Sequence, residues 1–364
     1  MNDVKILAYY LPQFHTIPEN DEWWGKGFTE WRSVGKAKPL FHGHYQPKVP
    51  ADLGYYNLLD PRVREEQAAL AKEAGVDGFA YWHYWFGDGK QLLEKPFAEV
   101  LRLGKPDFPF CLAWANESWK AKVWADVSGK THKTLIEQRY LGEEDDKKHF
   151  FAFLEAFNDH RYIRHDNKPI FIIYRPFDSE RIPVFISLWN KLAKENGVAE
   201  RFYFIANITS MDDKDRAIEL GFDAVTVAPT SRCSLIRKHP ILEKIRKKLL
   251  IYFFQRPAMM RYSKAIKKFW IPAFDSQDDV VPFIIPNWDH SPRSGIHSFV
   301  LTNSTPDLFE KHATQVLKEV DKKQNKLVVL KSWNEWGEGN YMEPDLKFGH
   351  GYLDALKRAV DSVK

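Results

Sequence analysis

Leu327-Val328-Val329-Leu330-Lys331-Ser332-Trp333-Asn334-Glu335-Trp336-Gly337-Glu338-Gly339 runs from an apolar segment straight into two carboxylates set among tryptophans and glycines. Four consecutive aliphatics read as a strand buried on both faces, the habit of a parallel sheet. Other runs share this form, apolar and then abruptly polar or aromatic. They cover residues 4–10, 77–83, 108–114, 169–174, 202–207, 223–228 and 281–286, and 327–332 makes the eighth. Helix signals alternate with them. Pro61 at a first helical position and Gly75 beyond the end bracket a helix over 61–74. An acidic first turn, favourable to the helix dipole, opens one over 143–157. Segments 183–196 and 214–220 stop at Gly197 and Gly221, and Thr305-Pro306-Asp307 caps a helix over 305–322. Eight strand–helix units predict an α/β fold, a single (β/α)8 TIM barrel spanning residues 1–364, with an insertion over 230–278 between strands six and seven. A doubly wound sheet is the alternative. It is disfavoured because no Gly-x-Gly-x-x-Gly and no phosphate-binding loop follows the first strand. No repeat, low-complexity tract or Ser/Gly-rich linker divides the chain.

Composition narrows the class. Hydrophobic residues make up 44% of the chain, enough for a full core, and 13 Trp, 15 Tyr and 26 Phe read either as a Phe-rich core or, the favoured reading, as an aromatic-lined cleft. Cys111 and Cys233 lie far apart, which excludes a disulfide framework and a cysteine zinc site. Met1-Asn2-Asp3-Val4-Lys5 leads directly into the first strand without a leader pattern, and no stretch approaches the roughly 20 apolar residues of a membrane span. A cytoplasmic location is therefore expected. The net charge of +4 is uneven: residues 231–270 hold twelve Lys or Arg and one acid, Glu243, leaving 41 basic and 48 acidic residues elsewhere.

A barrel places its chemistry just after the C-terminal ends of its strands. The candidate cleft residues are Tyr10 and His15 after strand one, Trp82 and His83 at strand two, and Trp114, Asn116, Glu117 and Trp119 after strand three. Arg175 follows strand four and Asn207 strand five. Asn287, Trp288 and Asp289 follow strand seven, and Trp333, Asn334 and Trp336 flank the carboxylates after strand eight. Each tryptophan also reads as packing at the barrel mouth. Arg175 reads either as a site for an anionic sugar or phosphate, or as a partner of Glu117 or Asp289. Glu335 and Glu338 are the catalytic candidates. Three residues apart, they share a face only in a helical turn, with Cβ atoms about 5–6 Å apart, and Gly337 and Gly339 permit such a turn. Glycosidic chemistry needs two carboxyl groups roughly 5–10 Å apart across the anomeric centre. His15, His83 and His290 fit no zinc spacing, so neither metal nor cofactor is expected. Asp213-Lys214-Asp215 resembles a nucleotide-sugar Asp-x-Asp motif but reads as helix-start charge.

Five segments in order carry a resemblance over nearly the whole chain. They are Ala8-Tyr9-Tyr10-Leu11-Pro12-Gln13-Phe14-His15, Gly27-Phe28-Thr29-Glu30-Trp31, Gly78-Phe79-Ala80-Tyr81-Trp82-His83-Tyr84-Trp85, Trp114-Ala115-Asn116-Glu117-Ser118-Trp119 and Trp333 through Gly339. The chain resembles the WbsX-type family, which carries a glycosyltransferase label from polysaccharide biosynthesis. More distantly it is similar to the endo-α-mannosidases and endo-α-mannanases of glycoside hydrolase family 99. That likeness implies a retaining glycoside hydrolase or transglycosylase acting on α-mannoside-like linkages. The family signature Glu-Trp-His-Glu matches Glu335-Trp336-Gly337-Glu338, with Gly337 in place of His. It implies Glu335 as base on the sugar 2-hydroxyl and Glu338 as acid and then base. Two alternatives stay open. One is a glycosyltransferase of O-antigen, lipopolysaccharide or capsule biosynthesis. The other pairs Glu117 as acid/base with Glu335 as nucleophile, leaving Glu117 otherwise to bind sugar hydroxyls or to pair with Lys120 or Lys122. A noncatalytic carbohydrate-binding barrel is the reading from outside enzymology, and retention of both glutamates argues against it.

The expected partner is an oligo- or polysaccharide, free or lipid-linked. The basic segment 231–270 reads in three ways: peripheral contact with an anionic membrane at its inner face, contact with an acidic polysaccharide, or an ordinary helical insertion packed on the barrel. Nucleic acid is not an expected partner, because the aromatic motifs lie away from this segment.

Overall fold

The computed structural model describes residues 4–121, 133–233 and 240–363. Lys122, an expected alternative partner of Glu117, lies outside them.

Eight parallel strands form the barrel: β1 (Lys5–Tyr10), β2 (Gly78–Trp85), β3 (Phe110–Trp114), β4 (Lys168–Ile173), β5 (Tyr203–Ile208), β6 (Ala224–Val227), β7 (Phe283–Ile284) and β8 (Leu327–Leu330). Their hydrogen-bonded order is β6-β5-β4-β3-β2-β1-β8-β7. The seam between β6 and β7 closes through a parallel bridge of Val225 to Val280, with the Val281 N–H donating to the Val225 carbonyl at 2.7 Å. This closure excludes the doubly wound alternative. β5, β6 and β8 are buried along their whole length, as strands packed between barrel interior and outer helices must be. β7 is short because it is bracketed by Pro282 and Pro286, neither of which has an N–H to donate.

The helices used below are α1 (Glu30–Gly35), α2 (Pro61–Ala74), α3 (Glu143–Ala152), α4 (Ile182–Glu195), α5 (Lys214–Glu219), α6 (Pro240–Tyr252), α7 (Tyr262–Phe269), α8 (Ser291–Ser294), α9 (Pro306–Val320) and α10 (Gly351–Asp361). Local sequence sets their ends. Asp60 accepts from the Arg62 N–H at the start of α2, and Gly75 closes it at φ 90°. Thr305 Oγ1 accepts from the Leu308 N–H at 3.3 Å at the start of α9. The helix expected over 143–157 breaks at Phe153, whose ring turns toward His83 at 4.7 Å, and a second short helix, Leu154–Asn158, follows.

The insertion divides in two. α7 packs on the outside of β7, with Phe269 against Phe283 at 5.3 Å, and a buried ion pair of Arg232 with Asp275 at 2.6 Å pins its flank. α6 is the opposite. Ile241, Leu242, Ile245, Leu249 and Tyr252 on it, and Phe253 and Phe254 just beyond it, are 46–81% exposed.

Candidate active site

β8 delivers the chain into a small antiparallel pair, Asn334–Glu335 with Asn340–Tyr341, that encloses a 3-10 turn over Trp336–Glu338. Gly339 ends the turn at φ 59°, a left-handed conformation that glycine adopts without strain. Below it, Trp336 stacks on Tyr341 at 3.7 Å, and its indole N–H donates to Glu343 Oε2 at 2.6 Å. Glu343 also accepts from Gln67 Nε2 at 2.6 Å and the Tyr56 hydroxyl at 2.9 Å. Burial pushes the Glu343 carboxyl up to about 7, against the pull of these three donors. Asn334 fastens the turn to β1's exit: its Oδ1 accepts from the Leu11 N–H at 2.7 Å, and its Nδ2 donates to the Leu11 carbonyl at 3.0 Å. Trp333, Asn334 and Trp336 are therefore fully buried supports of the turn rather than cleft walls.

The turn brings Glu335 and Glu338 together. Both carboxylates meet Arg293 on α8: Nη2 donates to Glu335 Oε1 at 2.6 Å and Nη1 to Glu338 Oε1 at 3.2 Å. Neighbouring nitrogens of one guanidinium thus draw the two acids to one point. Arg293 Nε donates to a third carboxylate, Glu30 at the start of α1, at 2.9 Å. Burial opposes the charge on Arg293 and the three carboxylates more than restore it. Burial pushes the Glu335 carboxyl up to about 8; Arg293 pulls against this, while Glu338 and Glu30 add to it. His290 Nε2 stands 3.8 Å from Glu338 Oε1.

Gly337 explains its own presence. A Cβ there would overlap Glu30 Oε2 and lie 2.8 Å from Arg293 Nε. The Glu30–Arg293 pair fills the space that a side chain at this position would need.

The floor of the mouth is aromatic. Tyr9 stacks on Trp82 at 4.5 Å, Trp82 meets Tyr174 edge-on at 5.4 Å, and Asn207 Nδ2 donates to the Tyr174 carbonyl at 3.4 Å. Burial drives the Tyr174 hydroxyl far above its ordinary range, and the charges of Glu117, Glu338 and Glu335 push it further. Arg175 Nη2 donates to Glu117 Oε2 at 2.9 Å. Of its two readings, the structure has Arg175 holding Glu117. Asn287 and Trp288 are half-buried beside the mouth. Trp119 stands at the rim on a hairpin of Trp119–Ala121 with Lys133–Ile136, against Tyr84 at 5.0 Å.

Other expected cleft residues lie elsewhere. Tyr10 is core, its hydroxyl donating to Gln67 Oε1 at 2.6 Å. His83 faces the outer helices and meets His149 Nε2 at 2.9 Å, and burial holds its imidazole down to about 3. Trp114 is core too, donating to the Trp85 carbonyl at 3.1 Å. His15 is buried against the Pro12 carbonyl at 2.9 Å. Asn116 is buried and clasps the Arg175 backbone, accepting from its N–H at 2.7 Å. Asp289 is a buried hub: it accepts from Gln46 Nε2 at 2.7 Å and meets His44 Nε2 at 2.9 Å and Lys48 Nζ at 3.8 Å. Burial alone would raise its carboxyl, but Lys48 and His44 hold it well below the usual range. Asp213 and Asp215 flank the start of α5, where Lys214 pairs with Asp279 at 2.7 Å. The sequence marks Tyr9 and Tyr174 as strand-end aromatics without making them cleft candidates, and it does not single out Arg293, Lys331 or Glu30 as site residues. Arg293 and Lys331 do follow strands seven and eight, which was the available signal. Among the described residues no group of three or more His, Cys, Asp or Glu is arranged to hold a metal, and no helix is long and apolar enough to cross a membrane.

Comparison with known proteins bears on the fold and the family. The solved structure of a "glycoside hydrolase-like protein" superposes with a TM-score of 0.61 at 15% identity, covering 99% of this chain and 94% of its own. The GH99 endo-α-mannosidase from Bacteroides thetaiotaomicron, in complex with bis-tris propane, gives 0.58 at 14% identity over 100% of this chain and 98% of its own. These likenesses establish the TIM-barrel fold. The uncharacterized protein WxcX of Xanthomonas campestris pv. campestris is 34% identical over 360 residues, 98% of this chain. The chain spans about half the length of that relative, 49%. The model of the family described as glycosyltransferase WbsX matches residues 6–356. The chain therefore belongs to the WbsX glycosyltransferase family.

Proposed function

We propose that this chain is a carbohydrate-active enzyme, a retaining glycoside hydrolase or transglycosylase acting on α-mannoside-like linkages of an oligo- or polysaccharide. The observation that carries the reading is the convergence of Glu335 and Glu338 on Arg293 above an aromatic floor. Glu335 takes the proton of the sugar 2-hydroxyl as that oxygen attacks the anomeric carbon. Glu338 gives its proton to the departing glycosidic oxygen. The resulting 1,2-anhydro sugar is opened by water or an acceptor hydroxyl that Glu338 deprotonates, and Glu335 returns its proton to the 2-oxygen. Two displacements at one carbon retain its configuration. The family name favours a second reading, a transferase of O-antigen, lipopolysaccharide or capsule assembly. Incubation with α-linked oligosaccharides, with and without sugar nucleotides, followed by mass spectrometry, separates the two. Cleavage or rearrangement without a nucleotide supports the first; extension only with a nucleotide overturns it.

We infer as well that α6 meets an anionic lipid surface, placing the enzyme at the cytoplasmic face of a membrane where a lipid-linked glycan is in reach. Its exposed apolar residues are joined by exposed Arg246 and Lys248. Near such a surface each cation contributes about 1 kcal/mol. Vesicles containing an anionic lipid should co-sediment the protein, and F253S/F254S and R246Q/K248Q should each weaken this. Unchanged sedimentation in both variants refutes the contact.

A further inference from the structure

Arg293 serves Glu335, Glu338 and Glu30, and Arg175 serves Glu117. Lys331 is different. It follows β8 directly, and its N–H donates to the Ile284 carbonyl of β7 at 3.0 Å. Its ammonium stands 5.5 Å from the ring centre of Trp288 and 6.0 Å from that of Tyr9, the ring that stacks on Trp82 in the floor. Among the described residues no carboxylate lies within 4.0 Å of it.

Ring faces attract an ammonium but replace little of its hydration. In the open mouth, water supplies the remainder. A sugar that fills the mouth displaces that water, and a neutral sugar returns only hydroxyl contacts. A sugar carrying an oxyanion returns a charge-assisted hydrogen bond. Lys331 is also close enough to Glu335 to act on its charge, so an anion seated on it belongs to the sugar at the reacting centre or the next one.

Resting on the carbohydrate reading above, we propose that Lys331 receives an oxyanion borne by the sugar bound across Glu335 and Glu338, which makes the substrate an acidic glycan. A uronate carboxylate and a phosphate ester share this chemistry. The test uses three matched α-mannan tetrasaccharides: neutral, with one mannuronate, and with one mannose 6-phosphate. Affinity is measured by calorimetry at fixed ionic strength, or kcat/KM where turnover occurs, for the intact protein, K331R and K331Q. Thermal melting confirms that both variants fold. At least one acidic ligand should be favoured over the neutral one by about tenfold in the unaltered protein and in K331R, falling to about twofold or less in K331Q. Which acidic ligand gains identifies the oxyanion. Equal or tighter binding of the neutral ligand overturns the proposal alone, as does a preference that survives in K331Q. Failure of all three to bind or react brings down the carbohydrate reading, and this proposal with it.

Discussion

Gly337→Ala tests the account of the carboxylate cluster without any knowledge of substrate. The backbone at Gly337 is outside the left-handed region, so alanine meets no backbone penalty there and the effect is one of space. The new methyl overlaps Glu30 Oε2, which Arg293 holds from Nε and Nη2 at 2.9 Å each. Glu30 is only 5% exposed, so its carboxylate has no open side to retreat into. Admitting the methyl breaks at least one hydrogen bond between charged groups, a contribution of about 1.5–3 kcal/mol. Residual crowding adds about 1–3 kcal/mol. With partial relaxation the expected loss of stability is about 2–4 kcal/mol. Glu30→Ala removes the nearer obstacle and opens space into which Arg293, 2.8 Å from the new methyl, can shift while paired with Glu335 and Glu338, so on that background Gly337→Ala should cost about 1–2 kcal/mol less than it does alone. Urea unfolding at neutral pH of the unaltered protein, both single variants and the double variant closes the cycle. The reasoning is refuted if Gly337→Ala alone lies within about 0.5 kcal/mol of the unaltered protein, or if the two costs simply add.

Glu335→Gln and Glu338→Gln should each lower turnover by about 10²–10⁴-fold with the fold retained, measured on whichever glycan the panel identifies; full activity in both would refute the assigned roles. Glu335 also has a signature in stability. Its carboxyl binds a proton more tightly folded than unfolded, so its contribution is full below the unfolded value of 4.5 and is lost as pH rises through about 8. Melting temperatures against pH should show that fall, and Glu335→Gln should flatten it and melt higher than the unaltered protein above pH 8. Asp289 has the opposite sign. Held below its unfolded value of 3.8, it stabilises the fold above that pH and loses the contribution as the medium becomes more acidic. Asp289→Asn should therefore lower stability at neutral pH and make the acid limb shallower; an unchanged acid limb would refute the Lys48–His44–Asp289 linkage.

The barrel was legible because its strands carry their apolar character on both faces, and that same property hid part of the site. When a strand alternates apolar and polar residues, the period of two says which side chain faces which way. In Tyr9-Tyr10 and Trp82-His83 both neighbours are aromatic, so the sequence located the strand end but not its inward member. The structure puts Tyr9 and Trp82 in the mouth, and Tyr10 and His83 against the helices. The glutamate pair was legible because its spacing and its glycines lie within one turn. Arg293 and Glu30 were not, since they meet across 263 positions of sequence, and only the folded chain makes them neighbours. The insertion read as one basic segment, yet its halves differ. α7 has β7 to cover, whereas the apolar residues of α6 have no barrel surface beneath them.

Asn334 grips the backbone of Leu11 from 323 positions away, and the Trp333 N–H donates to the Tyr9 carbonyl at 2.7 Å. The turn that carries both glutamates is thus built on a contact between the first and last strands of the barrel. On the roles proposed for Glu335 and Glu338, strands one to seven leave the ribosome without either acid, and the site is complete only when β8 slots between β1 and β7.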